Sequence, residues 1–220
     1  MIVTIDGPAG SGKSTVAKQL AVRLGVRFLD TGAMYRAVAL AVLNENVNEN
    51  NADEVEALAA NVDIKFQGDQ ILLNDVTAIS SVVAANPTVR KRLVELQRQV
   101  GNAGSLVTEG RDQGSVVFPK AEFKFFLTAN LDVRARRRHK ELVGKGSSLT
   151  LSTVKSQLSQ RDDRDENRTH APLKPAADAE QIDTSYVSIT QLVDRLVETV
   201  QGQSSAVEPS ETASSSRPPV

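Results

Sequence analysis

The stretch IDGPAGSGKSTVAKQL, residues 5–20, sets the fold of this chain. It follows a short apolar run, residues 1–6, which predicts a buried strand. Apolar residues then recur at four-residue steps, which predicts a helix from Ser14 to Leu24, and Gly25 is expected to end that helix. The chain is therefore expected to open with a strand, a glycine-rich turn and a helix.

The turn matches the pattern G-x-x-x-x-G-K-[ST] in full. Its glycines permit positive φ, so successive backbone N–H groups can point at one anion, and the following helix adds its positive end. Lys13 is expected to contact the β- and γ-phosphates, and the Ser14 hydroxyl to bind Mg²⁺. A chance glycine-rich turn is the alternative, but a strand and a helix flank this one. The predicted ATP-binding residues are Gly7, Pro8, Ala9, Gly10, Ser11, Gly12, Lys13, Ser14 and Thr15.

Composition excludes several classes of protein. The chain has 220 residues, 40% hydrophobic content and a formal net charge of −1, which suits one globular domain without an electrostatic footprint for nucleic acid. The absence of cysteine excludes disulfides and thiolate sites. No apolar run approaches the roughly 20 residues that span a bilayer, and the N-terminus does not resemble a signal peptide. We therefore expect a cytoplasmic protein that does not contact membranes.

Strand-like and helix-like patterns alternate along the rest of the chain. This alternation predicts an α/β fold in which helices cover both faces of a parallel sheet. Ser188 and Gln191 are expected to form a capping box for the last helix. The further predicted strands are 26–30, 105–110, 123–129 and 179–183, and the further predicted helices are 33–43, 53–60, 87–100, 131–143, 151–168 and 188–200.

Two segments do not fit the alternation. Residues 62–76 contain two β-like runs around Gly68 and Asp69, which predicts a hairpin. Residues 201–220 are rich in Ser and Pro and show no apolar period, which predicts a disordered tail. The folded domain is therefore expected to span residues 1–200.

Charged residues continue the apolar stripe of the helix predicted at 151–168. Arg161, Asp165 and Arg168 lie within an arc of about 60° at the helical period. Because an unpaired buried charge is costly, inward-facing charges favour a bound polar ligand. A solvated face with salt bridges is an equally good interpretation of this geometry.

A second group of cations lies in RARRRH, residues 134–139. Arg134, Arg137 and Arg138 share one helical face. They are candidates for a lid that closes over a triphosphate, and an ordinary basic surface is the alternative.

Polar residues also follow two of the predicted strands, where ligands bind in open α/β sheets. In EGRDQGS (109–115), Arg111 and Asp112 are candidate ligand contacts and Glu109 is a candidate for the Mg²⁺ shell. A turn ion pair is the alternative interpretation. In FLDTGAMYR (28–36), we expect a turn at Thr31 and Gly32, and then a helix that begins with Tyr35 and Arg36 as candidate ligand contacts. The alternative interpretation is a helix cap followed by a tyrosine that packs in the core.

The remaining features narrow the class of phosphate-binding protein. No N/T-K-x-D base-reading motif is present, which argues against a GTPase. A transporter or motor ATPase needs a longer chain. A small kinase with a small acceptor is therefore the favoured class.

Six stretches together resemble the bacterial cytidylate kinase family, which phosphorylates CMP and dCMP. They cover residues 4 to about 185 in the family's order. The resemblance implies a P-loop nucleoside-monophosphate kinase that uses ATP and Mg²⁺, and a monomer. It also implies a small insert at about 44–86 and a lid at about 134–150. The stretches are TIDGPAGSGKST, LDTGAMYR, VVAANPTVR, EGRDQGSVVFP, QRDDRDENR and APLKPAADA.

The resemblance also implies roles for individual residues. Lys13, Arg111 and Arg161 would be catalytic, and Arg134 and Arg138 would contact ATP. Thr31 stands where the family often has Ser and keeps the hydroxyl. A carboxylate acceptor such as Asp112 suits cytosine better than uracil, because cytosine presents its N4 amine as a donor and uracil presents an acceptor at the same position. The implied acceptor-binding residues are Thr31, Tyr35, Arg36, Ser81, Arg90, Arg111, Asp112, Arg161, Asp165 and Arg168.

One departure from the family leaves alternatives open. Between ILLNDVTA and SSVVAANP the chain is shorter than the family pattern and lacks an EIR-like stretch. A P-loop kinase for another small acceptor is the second candidate. A nucleotide-binding regulator without turnover is the third.

Overall fold

The computed structural model describes residues 1–61 and 74–204. In this part of the chain five strands form one sheet, and every neighbouring pair is parallel. The strands are β1 (Ile2–Asp6), β2 (Arg27–Asp30), β3 (Leu106–Gly110), β4 (Phe123–Thr128) and β5 (Glu180–Asp183). Their order across the sheet is β2-β3-β1-β4-β5. The predicted α/β fold with a parallel sheet flanked by helices is confirmed.

Helices alternate with these strands. A single π-helical turn, Gln113–Val117, follows β3. The α-helices of the described residues are α1 (Lys13–Leu24), α2 (Thr31–Asn44), α3 (Ala52–Asn61), α4 (Asn74–Val83), α5 (Pro87–Asn102), α6 (Leu131–Gly144), α7 (Leu151–Asn167) and α8 (Ile189–Ser204).

The main core lies between the sheet and the helices α1 and α8. It contains side chains from β1, β3 and β4, with Ile5, Leu20 and Leu196 fully buried. A second apolar cluster joins α2 to α3, α4 and α5. Because all five strands are parallel, their carboxyl ends lie at one edge of the sheet, and the polar residues that follow several of them are brought together there.

The predicted ends of two helices are confirmed. Gly25 stops α1 in the left-handed region, at φ 65°. At the start of α8, Gln191 N donates to Ser188 Oγ at 3.2 Å, and Ser188 N donates to Gln191 Oε1 at 3.3 Å. This reciprocal pair is the capping box that the sequence predicted.

The structure corrects the start of α2. Asp30 caps that helix, because its Oδ1 accepts from Ala33 N at 2.8 Å. Thr31 and Gly32 therefore lie in the first helical turn, two residues before the predicted start at 33, and do not form a separate turn.

The predicted hairpin is wrong at its end. Residues 62–73 lie outside the described residues, but 74–76 begin α4. The segment NDVTAISSVV is rich in β-branched residues, which resemble a strand pattern. Packing on α2 overrides this local preference, and Val76 and Val83 are fully buried in the second cluster.

The end of the domain also differs from the prediction. Helix α8 continues to Ser204, so the predicted disordered tail is wrong for residues 201–204. The rest of that prediction lies outside the described residues. Among the helices that the structure describes, none is both long and apolar enough to cross a membrane.

Candidate active site

A cavity of about 740 Å³ lies at the carboxyl edge of the sheet. It brings together the glycine-rich loop, the start of α2, parts of α4, α5, α6 and α7, and the turn after β3. Of the residues predicted for the site, Gly7, Pro8, Ser11 and Arg134 do not line it. The predicted residues that do are Ala9, Gly10, Gly12, Lys13, Ser14, Thr15, Thr31, Tyr35, Arg36, Ser81, Arg90, Glu109, Arg111, Asp112, Arg137, Arg138, Arg161, Asp165 and Arg168.

Glycine is required in the loop for conformation and for space. Gly10 and Gly12 adopt φ of 77° and 91°, which disfavour other residues. A Cβ atom on Gly7 would lie 2.1 Å from the carbonyl oxygen of Leu127, so the loop rests directly on the end of β4. The loop is thereby held in a shape that presents backbone N–H groups to an anion.

Lys13 and Glu109 form a buried pair beside the loop. Lys13 Nζ donates to the carbonyl oxygen of Pro8 at 3.1 Å and lies 3.9 Å from Glu109 Oε2. Burial, and then repulsion from Arg111, lower the pKa of Lys13 to about 7. An anion at this position would favour the charged form of the lysine.

Ser14 and Glu109 place two side-chain oxygen atoms next to each other beside the glycine-rich loop. Ser14 Oγ donates to Glu109 Oε1 at 3.0 Å. Burial raises the pKa of Glu109, and the neighbouring Asp30 carboxylate raises it further, whereas Lys13 opposes both. A cation shared by these oxygens would remove the cost of two adjacent carboxylates. Sequence reasoning did not assign Asp30, although its place before a helix marked it as a cap.

Arg90, Asp112 and Arg168 form a second buried ionic group across the cavity. Arg90 Nη2 donates to Asp112 Oδ2, and Arg168 Nη2 lies 3.8 Å from Asp112 Oδ1. The guanidinium of Arg90 also lies over the Tyr35 ring, 5.7 Å from its centroid. Burial raises the pKa of Tyr35 to about 12, so the phenol stays neutral. The two arginines thus hold the Asp112 carboxylate in place, and its oxygens can accept hydrogen bonds but not donate them.

Arg111 joins the turn after β3 to helix α7. Its Nε donates to Asp165 Oδ2 at 2.7 Å. Burial, and then repulsion from Arg111, lower the pKa of the nearby Arg161 to about 10. The charged form of Arg161 is therefore costly in the ligand-free protein, because this guanidinium is buried and lies near the like charge of Arg111.

Three cavity arginines have a buried nitrogen for which the described residues provide no hydrogen-bond acceptor. These nitrogens are Arg36 Nε, Arg161 Nε and Arg168 Nη2. A buried unsatisfied donor is costly, and a charged one more so. Three such donors around one cavity therefore point to an anionic ligand. This outcome favours the ligand-binding interpretation of the helix 151–168 over the solvated-face interpretation.

A family model described as cytidylate kinase matches residues 3–202 of this chain. The chain belongs to the cytidylate kinase family. It is 44% identical to the cytidylate kinase of Pseudomonas fluorescens (strain Pf0-1) over 215 residues, which cover 89% of this chain and 93% of the relative. It is 40% identical to the cytidylate kinase of Syntrophotalea carbinolica, with 98% of both chains covered. The resemblance seen in the sequence is confirmed.

A solved structure supports the fold alone. The uncharacterized protein from Eubacterium ventriosum is 16% identical to this chain and has a TM-score of 0.52. The match covers 91% of this chain and 98% of that one.

In this member of the cytidylate kinase family, α4 supplies part of the cavity wall. Ser81 is buried, and its Oγ donates to the carbonyl oxygen of Ala78 at 3.1 Å. Thr77 and Ser80 of the same helix also line the cavity. Sequence reasoning missed both, because the segment before them was interpreted as a hairpin and carries no phosphate-binding signal.

The arginines of α6 divide into two kinds. Arg137 and Arg138 line the cavity, and Arg137 also donates to the hydroxyl of Thr184 at 3.0 Å. Arg134 is buried away from the cavity, contrary to its predicted place on a face exposed to ATP. Its Nη1 donates to the carbonyl oxygen of Ala9 at 3.2 Å and to Asp162 Oδ2 at 2.6 Å. Arg134 therefore supports the glycine-rich loop through Ala9 without lining the cavity.

Proposed function

We propose that this protein transfers the γ-phosphoryl group of ATP to CMP or dCMP, giving ADP and CDP or dCDP. The observation that carries the proposal is the set of three guanidinium nitrogens that find no acceptor among residues 1–61 and 74–204, on the cavity that also holds the phosphate loop. One anion would bind the loop. A second anion, on the acceptor, would bind the arginines.

The acceptor would lie between α2, α4, α5 and α7. Arg36 and Arg111 would hold its monophosphate, and Arg161 and Asp165 its sugar. Asp112, held by Arg90, would accept a hydrogen bond from the N4 amine of cytosine. Uracil presents an acceptor at that position, and two facing acceptors in a buried site are costly. This contact would favour CMP over UMP.

The chemistry requires positioning and charge neutralisation more than a protein base. Lys13 and Arg161 would balance the charge that spreads over the transferred group, and neither needs to move a proton. Ser14 and Glu109 offer oxygen ligands of the kind that Mg²⁺ prefers, directly or through water. The bound ion would neutralise charge on the donor phosphates.

The proposal is tested by ADP release from Mg·ATP with a panel of acceptors: CMP, dCMP, UMP, AMP, dTMP and shikimate. We expect strong turnover with CMP and dCMP only. Turnover with another acceptor would show that the protein is a kinase, but it would contradict the roles proposed for residues that bind cytosine. Bound ATP without release of ADP for any acceptor would support a regulator and contradict the proposal.

A further inference from the structure

Asp6 is a buried carboxylate that the mechanism above does not use. It is the last residue of β1 and directly precedes Gly7 of the phosphate loop. Its side chain is 4% exposed and does not line the cavity. Its Oδ1 accepts from Gln113 N and its Oδ2 accepts from Gly114 N, each at 2.8 Å. Both oxygens of Asp6 are thus bonded to one turn.

That turn carries the two acceptor-site residues Arg111 and Asp112. It begins at the end of β3, next to β1, and runs into the π-helical turn Gln113–Val117. The turn is pressed against β1, because a Cβ atom on Gly114 would lie 2.8 Å from Thr4 Oγ1. The backbone that orients Arg111 and Asp112 is therefore anchored directly at Asp6.

The side chain of Gln113 continues the anchor into the protein. Its Oε1 accepts from Thr108 Oγ1 at 3.0 Å, and its Nε2 donates to Gln97 Oε1 at 3.2 Å. Gln113, Thr108 and Gln97 are all buried. This network positions the turn only, since none of its members lines the cavity.

We propose that Asp6 is a positioning residue of the acceptor site, which holds Arg111 and Asp112 in register with the phosphate loop. The inference rests on the proposed function, because it assumes that these two residues bind the acceptor. Asp6 itself would touch neither substrate, since it does not line the cavity. Since Asp6 precedes Gly7 and bonds to the turn, it links the donor and acceptor sites through one carboxylate.

The charge state of Asp6 matters because its two partners are both donors. A carboxylate offers an acceptor oxygen to each N–H group, whereas the amide of Asn offers one oxygen and opposes the other N–H with its own NH₂. Asp6→Asn preserves volume and therefore tests the anchor with little change in packing. Burial raises the pKa of Asp6 to about 7, so the carboxylate is retained at a cost.

The experiment compares wild-type protein, Asp6→Asn and Asp178→Asn by calorimetric titration with CMP, UMP and Mg·ATP, each alone. Asp178 is an exposed carboxylate that accepts from Lys124 at 2.6 Å and does not line the cavity. We expect Asp6→Asn to bind CMP about tenfold more weakly, to lose most of its preference for CMP over UMP, and to bind Mg·ATP within about threefold of wild type. Asp178→Asn should match wild type for all three ligands.

The outcomes separate the inference from the function on which it rests. If wild-type protein does not bind CMP, the proposed function fails. If wild-type protein binds CMP and Asp6→Asn binds it equally well with unchanged base preference, the inference is overturned. Equal losses for CMP and Mg·ATP would also overturn it, because they would indicate a general structural role.

A measurement on wild-type protein decides the matter if Asp6→Asn does not fold. The backbone amides of Gln113 and Gly114 report on the anchor in ¹⁵N spectra. We expect CMP alone to shift both amide signals more than Mg·ATP alone does. Amide signals that do not respond to CMP, in a protein that binds it, would contradict the inference.

Discussion

The phosphate loop and the acceptor side of the cavity are built in opposite ways. The loop is one run of eight residues, and its shape comes from glycine conformations within that run. The acceptor side takes its charged side chains from α2, α5, α7 and the turn after β3. Its ion pairs join residues far apart in sequence, such as Arg90 with Asp112 and Arg111 with Asp165.

This difference indicates how each half achieves binding. The loop relies on backbone groups that are in place before any ligand arrives, and a local change there affects one phosphate site. On the acceptor side, Arg161 lies near the like charge of Arg111, and Arg168 near that of Arg90, so a bound anion would relieve this repulsion. Substitutions on that side should therefore trade stability of the free protein against binding.

The largest effect is expected from Lys13→Met at the junction of the two halves. Loss of its charge should lower kcat by about a thousandfold, because charge on the transferred group is no longer balanced. Steady-state ADP release measures this, with the exposed Lys18→Met on the same helix as the control. A loss below about tenfold would show that Lys13 is not at the reacting phosphate.

A smaller loss of activity, with no loss of stability, is expected from Arg161→Met. We expect kcat/KM for CMP to fall about tenfold to a hundredfold, because an acceptor contact is lost. The midpoint of urea unfolding should stay or rise, since removal of Arg161 relieves its repulsion with Arg111. Arg164→Met, exposed on the same helix, is the matched control. Marked destabilisation with normal activity would reverse the interpretation of this residue.

The contacts of Arg134 with Ala9 and Asp162 should affect binding of ATP and not binding of CMP. Asp162→Asn weakens the bond that positions Arg134 against Ala9. We expect KM for ATP to rise about threefold to tenfold and KM for CMP to change less. This pattern is the opposite of that expected for Asp6→Asn. If both variants raise the same KM, the two halves are not independent.

A pH dependence of stability is also expected at Asp6. Its pKa is raised to about 7 by burial and by Asp112, against the backbone N–H groups and Arg111. The folded protein therefore takes up this proton near pH 7, whereas the unfolded chain does so only near about pH 4. The stability of wild type relative to Asp6→Asn should thus fall as pH rises between about 4 and 7, by at most about 1.4 kcal/mol per pH unit. Urea unfolding across this range measures the slope, and a constant difference would contradict it.

The same contrast explains what could be predicted from sequence. The loop, its flanking strand and helix, Gly25 and the Ser188–Gln191 cap depend on neighbours within a few residues, so local patterns predicted them. The position of Arg134 outside the cavity lining was not predicted, because its partner Asp162 lies on another helix. The anchor at Asp6 has its partners more than a hundred residues away, and no local pattern indicates it.

Helix α4 also could not be predicted from local sequence, because its structure depends on packing against another helix. Its β-branched residues favoured a strand locally, but its contacts with α2 favour a helix. Two cavity residues, Thr77 and Ser80, were not predicted, because the predicted hairpin ended at residue 76 and no element was predicted for residues 77–86. The acceptor roles of Ser81 and Arg90 came from the family resemblance, and they stay predictions.

The selectivity of Asp112→Asn for CMP against UMP tests most directly whether this cavity reads cytosine. The ratio of kcat/KM for CMP to that for UMP is measured for wild type and variant side by side. We expect wild type to favour CMP strongly and the variant to lose about tenfold or more of that preference, because an amide can donate to uracil. An unchanged ratio, with activity retained, would show that Asp112 does not read the base.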